Sequence, residues 1–172
     1  MERLRKVVYG LNPWILSCVS SILLVGQIVL VLFLDHRSPN RLSAVTYAGY
    51  AVWILSAVFG IVPIFAFRAR GGVKQGKGYM HTTALVDSGI YSIVRHPQYL
   101  AGALWSLAMV LLAQTWQIAL MGAVATMLTW LDAVKADRYC VEKFGAEYER
   151  YMERVPRTNF VLGIARRLTR GS

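Results

Sequence analysis

Polar and apolar positions divide the chain into long uncharged stretches separated by short charged ones. Leu11 to Leu34 runs for 24 residues without a charge, and Leu42 to Phe67 for 26. Each exceeds the about 20 apolar residues that a helix needs to cross a bilayer. A third uncharged run, Gln98 to Leu131, has 34 residues, too many for one ordinary crossing and few for two complete ones. Flanking residues, from Pro97 and up to Arg138, lengthen the arms of a helical hairpin turning at Gln114-Thr115-Trp116-Gln117, where polar residues and a Trp suit an interface. The expected fold is an all-α integral membrane protein of about four transmembrane helices, the last two a hairpin, with cytoplasmic or interfacial helices at the C-terminal end. Residues 1–67 supply two transmembrane helices in this reading, and residues 68–172 a core of loop, hairpin and C-terminal helices.

Beyond Leu131 the pattern changes. Val134, Val141 and Phe144, then Tyr148, Tyr151 and Val155, recur at helical spacing with a break at Gly145, which predicts a pair of membrane-proximal helices sharing one apolar face. Phe160 to Arg170 mixes apolar residues with Arg166, Arg167 and Arg170 and is expected to lie along the interface. Thr82 to Val94 reads as a loop or short helix. Pro97 suits the first turn of the following helix, where a missing N–H costs nothing.

Charge adds an orientation. The chain carries 19 Lys+Arg against 9 Asp+Glu, a formal net charge of +10, on a mean hydropathy of +0.44. Of the basic residues, 3 precede the first span, 5 lie between Arg68 and Arg95 and 9 follow Leu131, while 2 lie between the first and second spans. With four crossings the three rich segments share a face, and the positive-inside rule makes that face, with both termini, cytoplasmic. The basic residues flank membrane segments, so anionic lipid headgroups are the expected partners and nucleic acid is not. Cys18 and Cys140 imply no disulfide framework. The first apolar run is too long for a signal-peptide core and is expected to remain in the mature protein. The short chain without sorting signals leans to a prokaryotic inner membrane.

The candidate chemistry gathers where the third run begins. Arg95, His96, Gln98 and Tyr99 fall within five residues, at a helix mouth whose unpaired backbone donors and positive dipole end welcome a carboxylate. Tyr91 and Tyr99 fit either a ligand contact or an interfacial aromatic belt. Asp137 is an ionisable residue near the inner end of the fourth span, a functional candidate by default or a hydrated interfacial acid. Lys135 and Arg138 beside it fit snorkelling as well as function. Glu142, Glu147, Glu149 and Glu153 read as a solvated face. The loop Arg70 to Gly78 nearly spells a phosphate-binding loop, but Gly78 stands where Ser or Thr would meet magnesium, and a membrane helix precedes it. His36, His81 and His96 fall in separate segments, and no metal site is expected.

Thr83-Ala84-Leu85-Val86, Gly89-Ile90-Tyr91, Arg95-His96-Pro97-Gln98-Tyr99 and Gly102, followed by Phe144-Gly145, Tyr148, Tyr151 and Val155-Pro156-Arg157, resemble the isoprenylcysteine carboxyl methyltransferase family, to which membrane phospholipid N-methyltransferases are related. The resemblance covers roughly Thr82 to Arg157. It implies a methyltransferase-like core and S-adenosylmethionine, without a metal, in a cytoplasm-facing pocket. Carried over by position, Thr83, Ala84, Leu85, Val86, Tyr91, Arg95, His96, Pro97, Gln98 and Tyr99 would line the cofactor, with Asp137 beside them. A lipophilic or prenylated acceptor would arrive from the bilayer, isoprenylcysteine-type carboxyl O-methylation being the leading reaction and phospholipid N-methylation the alternative. The family has two Glu residues eight and seven positions before the Phe of Phe-Gly and an Arg about four residues earlier; this chain has Ala136, Asp137 and Asp132. Asp137 is then the retained acid, and Lys135 or Arg138 the replacement cation, so Asp137 and Arg138 are the catalytic candidates. Lys135-Ala136-Asp137-Arg138-Tyr139-Cys140 is also similar to the NADPH-binding membrane sterol reductases, and a non-catalytic membrane protein is the third reading.

Overall fold

The computed structural model describes residues 12–70 and 84–170. Among them every regular element is helical: α1 (Pro13–Ile28) with a π-helical turn (Val29–Phe33), α2 (Ser43–Arg70), a 3-10 turn (Gly89–Ser92), α3 (Pro97–Ala113), α4 (Trp116–Phe144), α5 (Ala146–Arg154) and α6 (Phe160–Arg170). Three helical stretches, Trp14–Phe33, Ser43–Ala69 and Trp116–Phe144, are long and apolar enough to cross a membrane. The fourth apolar helix, α3, has 17 residues. At 1.5 Å per residue it reaches about 25 Å, short of a hydrocarbon core of about 30 Å.

The 34-residue uncharged run does fold as a hairpin, breaking at Gln114-Thr115. A turn without Gly or Pro works because Gln114 itself adopts the left-handed conformation, at φ 53°. Its side chain offsets the strain by tying the turn to the start of α2. The amide oxygen accepts from Leu42 N at 2.8 Å, and Nε2 donates to Leu42 O and to Thr46 Oγ1. Ser38 N adds a bond to Ala113 O. The αL geometry that usually calls for Gly is thus held by contacts some 70 residues away in sequence.

Helix α3 sits between α2 and α4, and α1 packs on α4. One apolar cluster, Val31, Ala108, Met109, Leu112, Ala113 and Ile118, fills the centre of this packing. A second, Phe59, Val94, Leu100 and Ala101, joins α2 to the mouth of α3 and takes in Phe160. Small residues allow the close approach, as expected where lipid removes the hydrophobic drive for helix pairing. Into this interior the chain buries Gln27, which donates to Ile118 O at 3.2 Å and accepts from Ser106 Oγ at 3.0 Å. Replacing Gln27 by Leu removes both bonds and leaves the Ser106 hydroxyl without that acceptor. We expect a loss of about 1–2 kcal/mol, read by unfolding in mixed micelles, with no change in ligand affinity.

Helix α4 does not stop at the change of composition after Leu131; it continues to Phe144 as one helix. Gly145 then takes φ +56°, ψ −136°, a conformation essentially restricted to glycine, and redirects the chain into α5. Tyr148 and Tyr151 point inward from α5 and join Val155 in a third buried cluster. Phe160–Arg170 forms the C-terminal helix over the span its pattern marks. Its apolar residues Val161, Leu162, Ile164 and Leu168 are exposed.

Candidate active site

The strap after α5 sets the position of the α3 mouth. Arg95 N donates to Pro156 O at 3.0 Å and His96 N to Arg157 O at 3.1 Å, while Tyr151 Oη donates to Tyr91 O at 2.6 Å. Pro97 begins α3, with His96 in the cap position, so the missing N–H falls where no helical partner exists. The backbone on both sides of Arg95-His96 is therefore fixed by residues about 60 positions downstream.

Asp137 is the electrostatic centre. Its Oδ2 accepts from Arg95 Nη2 at 3.1 Å and from Arg157 Nε at 2.6 Å. Its Oδ1 lies 2.7 Å from His96 Nε2 and accepts from Tyr148 Oη at 2.7 Å. Asp137 and Arg95 are buried, so these charge-assisted bonds act where screening is weak. Two guanidinium groups meet one carboxylate, which leaves the cluster a positive surplus. Burial first, and the Asp137 charge next, push the Tyr148 hydroxyl well above its ordinary value of 10.0, so it remains a proton donor. Tyr151 moves the same way, mainly through burial. Arg157 also stacks over Trp130, 5.9 Å from the ring centre.

Beside this cluster lies a cavity of about 510 Å³, within the range of small-molecule sites. Ala84, Leu85, Val86 and Tyr91 form one wall, and Arg95, His96, Pro97, Gln98 and Tyr99 a second. From α4 come Asp132, Lys135, Ala136, Tyr139, Cys140, Lys143 and Phe144, spaced as one helix face. Tyr148 and Tyr151 close it from α5, and Trp14, Ser17 and Phe67 complete it from α1 and α2. Ser17 Oγ donates to Asp132 Oδ2 at 2.9 Å.

The structure brings most of the expected ligand contacts together: Ala84, Leu85, Val86, Tyr91, Arg95, His96, Pro97, Gln98 and Tyr99 all line one cavity. Thr83 and the loop from Gly71 to Gly78 lie outside the described residues. Asp137 stands behind the cavity wall, bracing Arg95, His96 and Tyr148. It does not itself line the cavity. Arg138 falls on another face of α4, is exposed and pairs with Glu142 one turn on, at 3.0 Å; Lys135 is the basic residue that this part of α4 turns into the cavity. Sequence reasoning missed Arg157 as a partner of Asp137, and the contributions of Trp14 and Ser17 from α1. The first had a signal in Val155-Pro156-Arg157; the others had none, since α1 reads as a generic membrane helix.

Residues 77–138 match the isoprenylcysteine carboxyl methyltransferase (ICMT) family. Over that segment the chain is similar to this family. It is also similar to the protein-S-isoprenylcysteine O-methyltransferase of Schizosaccharomyces pombe, with 29% identity over 98 residues, 52% of this chain and 42% of that protein. The chain thus matches less than half the length of this curated relative. No solved structure matches. The matched family segment runs from the loop before the 3-10 turn, through α3, to Asp137 and Arg138 of α4, and so covers the α3 mouth and the acid it leans on. The three long apolar helices and the similarity to this family point to a multi-pass helical membrane protein. Among the described residues no three metal-ligating side chains converge.

Proposed function

We propose that this protein is an integral-membrane methyltransferase that uses S-adenosylmethionine to methylate a lipophilic acceptor, with an isoprenylcysteine-type carboxylate as the leading acceptor and the basic face, with both termini, toward the cytoplasm. The observation that carries the reading is Arg95. Its side chain lines the cavity, and its Nε is buried without a hydrogen-bond partner among the described residues. A buried guanidinium N–H left unpaired is costly, and a ligand carboxylate at the cavity's positive side would satisfy it. The residues present therefore fit an amino-acid-bearing cofactor.

When bound, the cofactor supplies an electrophilic methyl group on a sulfonium. The chain's own part is positioning and exclusion of water. Arg95 would hold its carboxylate. Tyr91, Tyr99, Tyr139 and Phe144 offer aromatic faces to the adenine or the cation. His96 packs edge-on to Tyr99 with ring centres 5.5 Å apart, so Asp137, by fixing His96, also fixes the Tyr99 ring. Lys135 is the cavity residue suited to an acceptor carboxylate. Trp14, Ser17 and Tyr139 lie where α1 meets α4, on the side from which a lipid-borne acceptor would reach the cavity. The relative's printed name supports the acceptor class.

The test is calorimetric binding of S-adenosylmethionine and S-adenosylhomocysteine, with NADPH as comparison, to protein in lipid nanodiscs, followed by methyl transfer to a prenylcysteine analogue. We expect His96→Ala and Tyr99→Phe to weaken S-adenosylhomocysteine binding by about 10-fold or more, the equivalent of about 1.4 kcal/mol, without unfolding the protein. Glu149→Ala, on the exposed side of α5, should bind like the parent. Unchanged affinity in the first two variants would move the cofactor out of this cavity, and NADPH binding would overturn the reading.

A further inference from the structure

A second concavity, of about 290 Å³, lies on the outer side of α5 and takes its lining from Ser92, Tyr151, Arg154, Arg166, Arg167 and Asp87. Three guanidinium groups there face one carboxylate. That carboxylate meets Arg154 at 3.4 Å between half-exposed partners, a pairing of little energetic weight. Arg166 is oriented by Nη1 donating to the Glu153 carbonyl at 3.5 Å.

The scaffold beneath these arginines is closely packed. Gly163 of α6 approaches the Ile93 carbonyl so closely that a Cβ would overlap it. Phe160 packs on Phe59 with ring centres 5.6 Å apart. Arg166 and Arg167 flank this packed face of α6, while Val161, Ile164 and Leu168 are exposed on the other. A helix with that apolar face lies in the interfacial layer, which sets its arginines at the depth of headgroups.

We propose that this concavity is an anion site that takes a phosphate-ester oxyanion. Guanidinium forks from two helices match the several oxygens of a phosphate group better than point charges would. The phosphate can reach it as an acidic phospholipid headgroup or as a free cytosolic anion. Tyr151 lines this site and the main cavity alike, so an anion bridging Arg154 to Arg166 and Arg167 clamps α5 against α6 from outside.

Thermal unfolding of the full chain in neutral detergent, with phosphatidylglycerol, phosphatidylcholine or inorganic phosphate added, tests this. The expected result is a saturable rise in Tm with phosphatidylglycerol, absent with phosphatidylcholine. Arg167→Gln should reduce the rise, Arg166→Gln/Arg167→Gln should abolish it, and Arg150→Gln, an exposed α5 residue outside the site, should retain it. A matching rise with millimolar inorganic phosphate makes the phosphate group sufficient; a rise with the lipid alone makes the headgroup the ligand. No rise with either, an equal rise in the double variant, or an equal loss in Arg150→Gln overturns the site.

Discussion

Asp137→Asn is expected to be among the most damaging single-atom changes available in this chain. The amide keeps the shape of the carboxylate but presents one acceptor oxygen and one NH2 group to four groups, of which Arg95, Arg157 and Tyr148 donate and His96 lies 2.7 Å away. With the NH2 toward the two arginines donor meets donor, and with it toward His96 the Tyr148 hydroxyl loses its acceptor. Arg95 would also remain as a buried cation without its counter-charge, a situation that costs about 3–5 kcal/mol. We expect a clear fall in Tm in detergent and loss of measurable S-adenosylhomocysteine binding, since the residues that line the cavity lose their anchor. A variant that unfolds at the parent's temperature and binds equally well would show that Asp137 does not organise the site. Asp137→Ala, which also leaves a void, should be worse.

Gly163→Ala tests the opposite end of the chain. The added methyl has nowhere to go, because it meets the rigid backbone carbonyl of Ile93 and not a movable side-chain tip. Helix α6 must lift from the 3-10 turn, which loosens the Phe160–Phe59 contact and the strap that carries Arg157. Overpacking of this kind costs about 1–3 kcal/mol. The expected readout is faster limited proteolysis near the C-terminal end, with several-fold weaker S-adenosylhomocysteine binding. Parent-like protection would mean that α6 is not seated against Ile93.

Much of this architecture was readable from charge and periodicity, and the parts that were not share a cause. The hairpin was legible because 34 uncharged residues have few other ways to fold beside a bilayer. Its turn was poorly marked, because Gln114 does glycine's work through bonds to Leu42 and Thr46, a compensation that local sequence cannot display. The cofactor candidates before and within the first turn of α3 were legible as a dense polar patch next to an apolar helix. The role of Asp137 was half legible: the acid was visible, but its partners come from positions 95, 96, 148 and 157. Arg138 lies off the cavity lining for a geometric reason, since adjacent residues on a helix differ by about 100° in direction. Only the full stripe from Asp132 to Phe144 tells which cation faces inward. Nothing in α1 announced that Ser17 would bond to Asp132, 115 positions away.

The wiring of Asp137 also bears on how the protein is made. Chains emerge and fold N-terminal part first, so α1 to α4 leave the ribosome ahead of Tyr148 and Arg157. During that interval the Asp137 carboxylate has Arg95 and His96 at most, and it stays wet. Only when the strap after α5 arrives does the last guanidinium seal it. Biogenesis therefore has two stages, an inserted helical bundle that is not yet able to hold its ligand, and a late closure by the strap after α5. A released chain truncated before Arg157 should be membrane-integrated and ligand-blind.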